Sequence, residues 1–319
     1  MVPAFLFITF FTATFPSEHQ SKYMAANTSG QERWMSESRK TVVITGASSG
    51  IGHACVSRMS KAGWLVFATV RKASDRDRLR SERNVYPVIM DVQDASTISA
   101  AAAEIRSQVS GGLDGLVNVA GIGMVRPLEY APMEDVRNIF EINFFGQLAT
   151  IQAFCAMLRK NRGRILNITS VGVNLAIPFG GLLNSSKSAF AMVSDTLRLE
   201  LRPFGVKVIA IEPGSISTPA VDKTLGNLEE VIRNLPPDGQ QRYGPMIRTV
   251  GQRGYEMEKG GSSPDVVAVA VHDALTSSRP RMRYRVGKHA KLLATLPKIL
   301  PESTFDAMRF KMLGLKESA

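Results

Sequence analysis

Two stretches of the chain carry residue types at spacings that could do chemistry. The first is TVVITGASSGIG at residues 41–52. An apolar, β-branched run leads into Gly46, Ser48, Ser49, Gly50, Ile51 and Gly52, where a helical pattern begins. Glycines there permit a tight turn and a close backbone approach. The helix start offers unpaired N–H groups and the positive end of its dipole, and the serines add hydroxyls. That combination binds phosphate. A chance glycine cluster in a turn is the bland alternative, and the strand–loop–helix context weighs against it. The second stretch is GLLNSSKSAF at residues 181–190. Lys187 lies on a helical pattern, and Leu183, four residues earlier, shares its face. Lys187 is either an ordinary surface lysine or half of a catalytic pair whose partner position holds a side chain with no proton to give.

These residues need elements to position them. TVVIT (41–45), WLVFAT (64–69), VYPVIM (85–90), LDGLVNV (113–119), RILNIT (164–169) and VKVIAI (206–211) are short apolar runs of the kind buried on both faces of a sheet. Helical patterns lie between them at 50–62, 95–109, 133–160 (broken near Gly146) and 184–202. RMRYRV at 281–286 suits an added edge strand. The alternation predicts an α/β fold: a doubly wound parallel sheet, Rossmann-like, three layers, in a single domain over residues 41–290. Ser170 follows the fifth run, at the strand edge where such sheets gather ligands. Residues 217–262, rich in glycine, proline and charge, read as a long irregular segment able to serve as a substrate lid. Residues 291–319 read as a C-terminal helical extension.

Composition bounds the partners. The chain has 319 residues with a net charge of +11. A basic balance suits a solvated face, an anionic ligand such as a phosphorylated cofactor, or an anionic membrane surface. The scattered basic residues and the lack of a binding motif argue against nucleic acid. Two cysteines form no disulfide framework and favour a reducing compartment, the cytoplasm; no Cys/His cluster has metal-ligand spacing. MVPAFLFITFFTATFP (1–16) is apolar but shorter than the ~20 residues a bilayer crossing needs. It reads as a membrane-associating anchor, a weak signal sequence, or residues ahead of a true start at Met24 or Met35. The polar stretch that follows completes a leader, apolar then disordered, over residues 1–40.

The spacing TGxxxGxG at Thr45–Gly52, rather than GxGxxG, resembles the cofactor motif of the short-chain dehydrogenase/reductase family. NVAG (118–121) resembles the family's NNAG, and EPGSIST (212–218) resembles its PG motif. Asn143, Ser170 and Lys187 fall at the catalytic Asn, Ser and Lys positions. FATVRK, FGQLATIQAF and RPFGVKVIAIEPG are most similar to the 17β-hydroxysteroid/retinol dehydrogenase-like branch. The likeness is strong over about residues 41–220. It implies hydride transfer between a nicotinamide cofactor and a carbonyl or alcohol. It places the cofactor against Gly46, Ser48, Ser49, Gly50, Ile51, Gly52, Asp91, Val92, Asn118, Ala120, Gly121, Lys187, Pro213, Gly214, Ile216 and Thr218. It also implies a homodimer paired through the helices at 133–160 and 184–202. The family's proton-delivering tyrosine is Leu183 here, and neither Leu182 nor Asn184 could replace it.

An NAD site usually carries an acidic residue after the second strand. None stands between Trp64 and Lys72. Arg71 and Lys72 follow instead, and a guanidinium suits a ribose 2′-phosphate, so NADP is expected. Three functions stay open: an NADP-dependent oxidoreductase with altered proton delivery, a cofactor-binding scaffold, and a non-redox isomerase, dehydratase or cyclase. Leu225, Leu228, Val231, Ile232, Leu235, Met246 and Ile247 either line a pocket for a small hydrophobic carbonyl or alcohol, or pack as an amphipathic face on the core.

Overall fold

The computed structural model describes residues 39–315; the leader assigned to residues 1–40 lies almost wholly outside the described residues, as do the last four of the C-terminal extension. Strands β1 (Thr41–Ile44), β2 (Leu65–Val70), β3 (Val85–Ile89), β4 (Gly115–Asn118), β5 (Arg164–Ile168), β6 (Lys207–Pro213) and β7 (Arg283–Val286) form one seven-stranded sheet. Its order is β3-β2-β1-β4-β5-β6-β7, and every pair is parallel. Strand order reverses between β1 and β4, whose register sets Ile44 beside Val117. That switch point opens the crevice where a doubly wound sheet takes its ligand.

The side chains alternate between two cores. Val42 and Ile44 face α1 (Gly50–Lys61) and α10 (Asp265–Thr276), whereas Val43 faces α3 (Ala95–Gln108), α5 (Gly146–Asn161) and α6 (Gly181–Glu200). With both faces covered, the central strands are largely apolar, and the expected three-layer Rossmann-like architecture is the one observed. The short polar helix α2 (Ala73–Leu79) follows β2 and was not apparent as a helical pattern. The long pattern at 133–160 divides into α4 (Met133–Phe140), a π turn at Glu141–Phe145 and α5, so the break falls just before Gly146.

Residues 217–262 are not irregular. They form α7 (Pro219–Leu225), α8 (Leu228–Arg233) and α9 (Pro237–Lys259), despite Pro245 inside the last. Ile232, Leu235, Ile247 and Val250 are buried with Val125 and Phe179, and Leu225, Leu228, Val231 and Met246 pack against them. The apolar face of the lid therefore makes its own small core. After β7 come α11 (Ala290–Ile299) and α12 (Glu302–Leu313). Among the described residues no helix is long and apolar enough to cross a membrane.

Candidate active site

The loop between β1 and α1 is built for an anion. Gly46 and Gly50 hold φ angles of +64° and +53°, a region that costs other residues strain. A Cβ on Gly52 would lie 2.1 Å from the Gly46 carbonyl oxygen. Ser49 stands at the N-cap of α1 in extended conformation, yet its side chain makes no capping bond. The first N–H groups of α1 are thus left to a ligand. Thr45, fully buried, accepts hydrogen bonds from the N–H groups of Val119 (2.9 Å) and Ala120 (3.0 Å). It pins the end of β4 to the end of β1.

Other expected residues meet this loop from distant parts of the chain. A Cβ on Gly50 would come within 3.3 Å of Thr218 Cβ, so the segment after β6 touches the phosphate loop. Gly214 donates its N–H to the Val286 carbonyl (2.8 Å), and Ile216 donates to the Glu258 carboxylate of α9 (3.3 Å). Arg71 is exposed at the end of β2 and makes no hydrogen bond or ion pair to another described residue. Asp91 Oδ1 accepts from the Gln93 N–H, and Val92 is buried. The Asn118 side chain turns into the core, donating to Asn167, which donates to Ser194. Arg78 was missed by sequence reasoning: from α2 it donates to the Ser48 carbonyl (2.7 Å) and steadies the loop. Nothing short of the fold joins positions 48 and 78.

Two of the expected catalytic positions, Asn143 and Lys187, converge beside Gly121. A Cβ there would lie 3.1 Å from Asn143 Oδ1 and 3.3 Å from Lys187 Nζ. Asn143, in the π turn, is fully buried. Its amide accepts from the Ile122 N–H (2.9 Å) and donates to the Ile122 carbonyl (3.0 Å) and to Ser186 Oγ (3.1 Å). Lys187 is 8% exposed and donates to the Ile168 carbonyl at the end of β5 (2.9 Å). Burial holds its ammonium down to about 8. Ser170 leaves β5 and caps the 3₁₀ turn Val171–Asn174, accepting from the Gly172 N–H (2.9 Å). The strap from Ser170 back to α6 is held by Asn184 donating to the Leu175 carbonyl (2.7 Å) and Ser188 donating to that of Val173 (2.7 Å). Leu183 is half-buried one turn before Lys187.

Three tyrosine hydroxyls are bonded to carboxylates. Tyr130 donates to Asp238, Tyr243 to Glu129 (2.7 Å) and Tyr255 to Asp222 (2.9 Å). Among the described residues no group of His, Cys, Asp and Glu side chains could hold a metal. The glycine cradle, the uncapped α1 terminus and the free guanidinium of Arg71 fit a phosphorylated dinucleotide.

Residues 40–228 match the family described as short chain dehydrogenase. "Dehydrogenase/reductase SDR family member 9" of Bos taurus is 34% identical over 278 residues, spanning 82% of this chain and 86% of the relative. "17-beta-hydroxysteroid dehydrogenase type 6" of Rattus norvegicus is 34% identical over 280 residues, spanning 84% and 87%. A solved short chain dehydrogenase from Burkholderia cenocepacia, in complex with NADP, superposes with a TM-score of 0.65 at 25% identity, covering 85% of this chain and 97% of that one. The chain belongs to the short-chain dehydrogenase family and carries its oxidoreductase fold, with leucine at position 183.

Proposed function

We propose that the protein transfers hydride between NADP(H) and the carbonyl or alcohol of a small hydrophobic substrate, with proton delivery altered by Leu183. The observation that carries this reading is the meeting of Lys187 and Asn143 at Gly121, beside a phosphate loop, with Arg71 exposed at the end of β2. When bound, the nicotinamide supplies the hydride. The loop residues Gly46–Gly52 and the α1 terminus hold the pyrophosphate, and Arg71 holds the 2′-phosphate. Asp91 and Val92 border the adenine. Backbone at 118–121 and the Lys187 ammonium hold the nicotinamide ribose, and Pro213, Gly214, Ile216 and Thr218 border the nicotinamide. Ser170 orients the carbonyl. A redox-silent scaffold would have no need to retain Ser170, Asn143 and Lys187, which favours turnover.

Two features extend the proposal to the whole protein. The exposed apolar side chains Phe145 on the π turn and Met192 and Leu199 on α6 suit a homodimer paired through α5 and α6. Both cysteines are free, and Cys55 is buried with its thiol pushed up to about 12, which suits the cytoplasm.

Titration of the purified protein with NADPH and NADH, followed by NADPH consumption on a panel of hydrophobic ketones and aldehydes, tests the reading. NADPH should bind at least about tenfold more tightly, since a charge-assisted guanidinium–phosphate contact is worth ~1.5–3 kcal/mol. Arg71→Ala should erase most of that preference. Equal affinities in the wild type would rule out the cofactor assignment.

A further inference from the structure

With leucine at 183, the site must find its proton elsewhere; Ser170 accepts from the Gly172 N–H and keeps a hydroxyl for the carbonyl, but an aliphatic alcohol is a far weaker acid than an ammonium, and the remaining neutral groups are tied up. Ser186 Oγ donates to the Leu183 carbonyl (2.8 Å) and accepts from Asn143. The Asn143 amide is closed on Ile122 and Ser186. Tyr130, Tyr243 and Tyr255 are bonded to carboxylates. Between Gly181 and Phe190, Lys187 is the one titratable side chain. An ammonium has three N–H donors. The Ile168 carbonyl takes one, and among the described residues the other two have no protein acceptor beside Gly121.

We propose that Lys187 is itself the general acid of this site, giving a proton from Nζ to the substrate oxygen, directly or across one water. The inference rests on the reductase reading above and names its missing proton donor. As the carbonyl carbon gains the hydride, the C=O π bond breaks and its electron pair moves to oxygen. An N–H bond of Lys187 breaks and an O–H bond forms. Lys187 is left as a neutral amine and takes a proton back from solvent. The carbonyl is reduced and the cofactor oxidised, so the balance closes. In the oxidative direction, neutral Lys187 accepts the alcohol proton.

The surroundings suit the role. Among the described residues the groups set about Nζ are uncharged: the Ile168 carbonyl of β5, the Asn143 amide of the π turn and the Gly121 backbone. With no counter-ion, desolvation alone brings the ammonium to about 8. An acid works best when its pKa lies near the working pH. A tyrosine-bearing site would use such a lysine to lower a phenol; here leucine holds that position, and the ammonium is left to act itself.

Four measurements on the full chain decide. Acetic anhydride labelling of Lys187, followed by peptide mass spectrometry, needs no turnover. Its rate should be half-maximal near pH 8, against about 10.4 for surface lysines. Single-turnover NADPH oxidation by the wild type on the carbonyl panel should then be flat below pH ~8 and fall about tenfold per pH unit above it. Lys187→Arg keeps a cation on the ribose but cannot titrate. It should bind NADPH within about fivefold of the wild type, yet reduce carbonyls on the order of 10²-fold more slowly. Small alkylamines should rescue Lys187→Ala with rates that follow the amine pKa. A Lys187→Arg variant as fast as the wild type with the same pH profile, or labelling of Lys187 at ordinary lysine pH, would overturn the proposal and leave the reductase reading standing. A wild type that binds NADPH and reduces nothing would overturn both.

Discussion

Lys187 is the residue at which folding and chemistry pull hardest against each other. Its folded pKa of about 8 lies below the ordinary 10.5, so below pH 8 the fold buries a charge that the unfolded chain leaves in water. The cost is full below the folded value, falls as pH rises from about 8 to about 10.5, and is absent above. At ~1.4 kcal/mol per pH unit it amounts to roughly 3 kcal/mol. Lys187→Met removes it, but strands the Ile168 carbonyl at about 1 kcal/mol. Cofactor-free Lys187→Met should therefore be more stable than the wild type by about 2 kcal/mol at pH 7 in urea unfolding, and should lose that advantage by pH ~11. Equal stability at pH 7 would show that Lys187 is hydrated. Gly121→Ala tests the convergence from the other side: its Cβ would press on Asn143 and Lys187, so NADPH affinity should drop at least about tenfold while the fold persists. That position 183 shares a face with Lys187 was legible from helix spacing, whereas a tyrosine is expected there only through the family resemblance. The Arg78 bond to Ser48 was not legible, because it depends on where α2 docks.

At the scale of elements, β7 shows how an edge strand serves the site. The buried Glu212 of β6 takes Arg283 and Arg285 of β7, at 3.1 Å for Arg285, and Arg283 also reaches Asp195 on α6. This clamp sits directly before Pro213 and Gly214. Glu212→Gln leaves Arg285 without its charge partner and Arg283 with Asp195 alone. Breaking a buried pair costs ~3–5 kcal/mol, discounted here because both arginines are about one-third exposed. A loss on the order of 2 kcal/mol, about 5 °C in Tm, should appear with weakened NADPH binding. An unchanged Tm would make the clamp incidental. The strands were legible because burial on both faces leaves unbroken apolar runs. The lid was not, because its glycines read as breakers. In α9 they make room: a Cβ on Gly251 would lie 2.5 Å from Leu228, and one on Gly239 would lie 3.2 Å from the Tyr130 ring. Close packing placed those glycines within a helix, and that is tertiary information.

For the whole molecule, the basic balance and the exposed apolar side chains of α6 bear on assembly. Met192 and Leu199 lie two turns apart on one face, 68% and 59% exposed. Met192→Asp with Leu199→Asp should convert a dimer to a monomer by light scattering at micromolar concentration, with the monomer still folded. A wild type that is monomeric there would reject the pairing.

The proposed reductase site pairs Ser170, Asn143 and Lys187 with a leucine at the tyrosine position. Steady-state NADPH consumption by wild type and Leu183→Tyr, on the same panel of hydrophobic ketones and aldehydes, tests it most directly. A phenol at 183 would lie on the Lys187 face and be lowered toward neutrality by the ammonium. The variant should bind NADPH as the wild type does and turn over on the order of 10²-fold faster on at least one carbonyl. A variant with normal NADPH affinity that is no faster on any substrate would contradict the claim and turn the reading toward a non-redox or scaffold role.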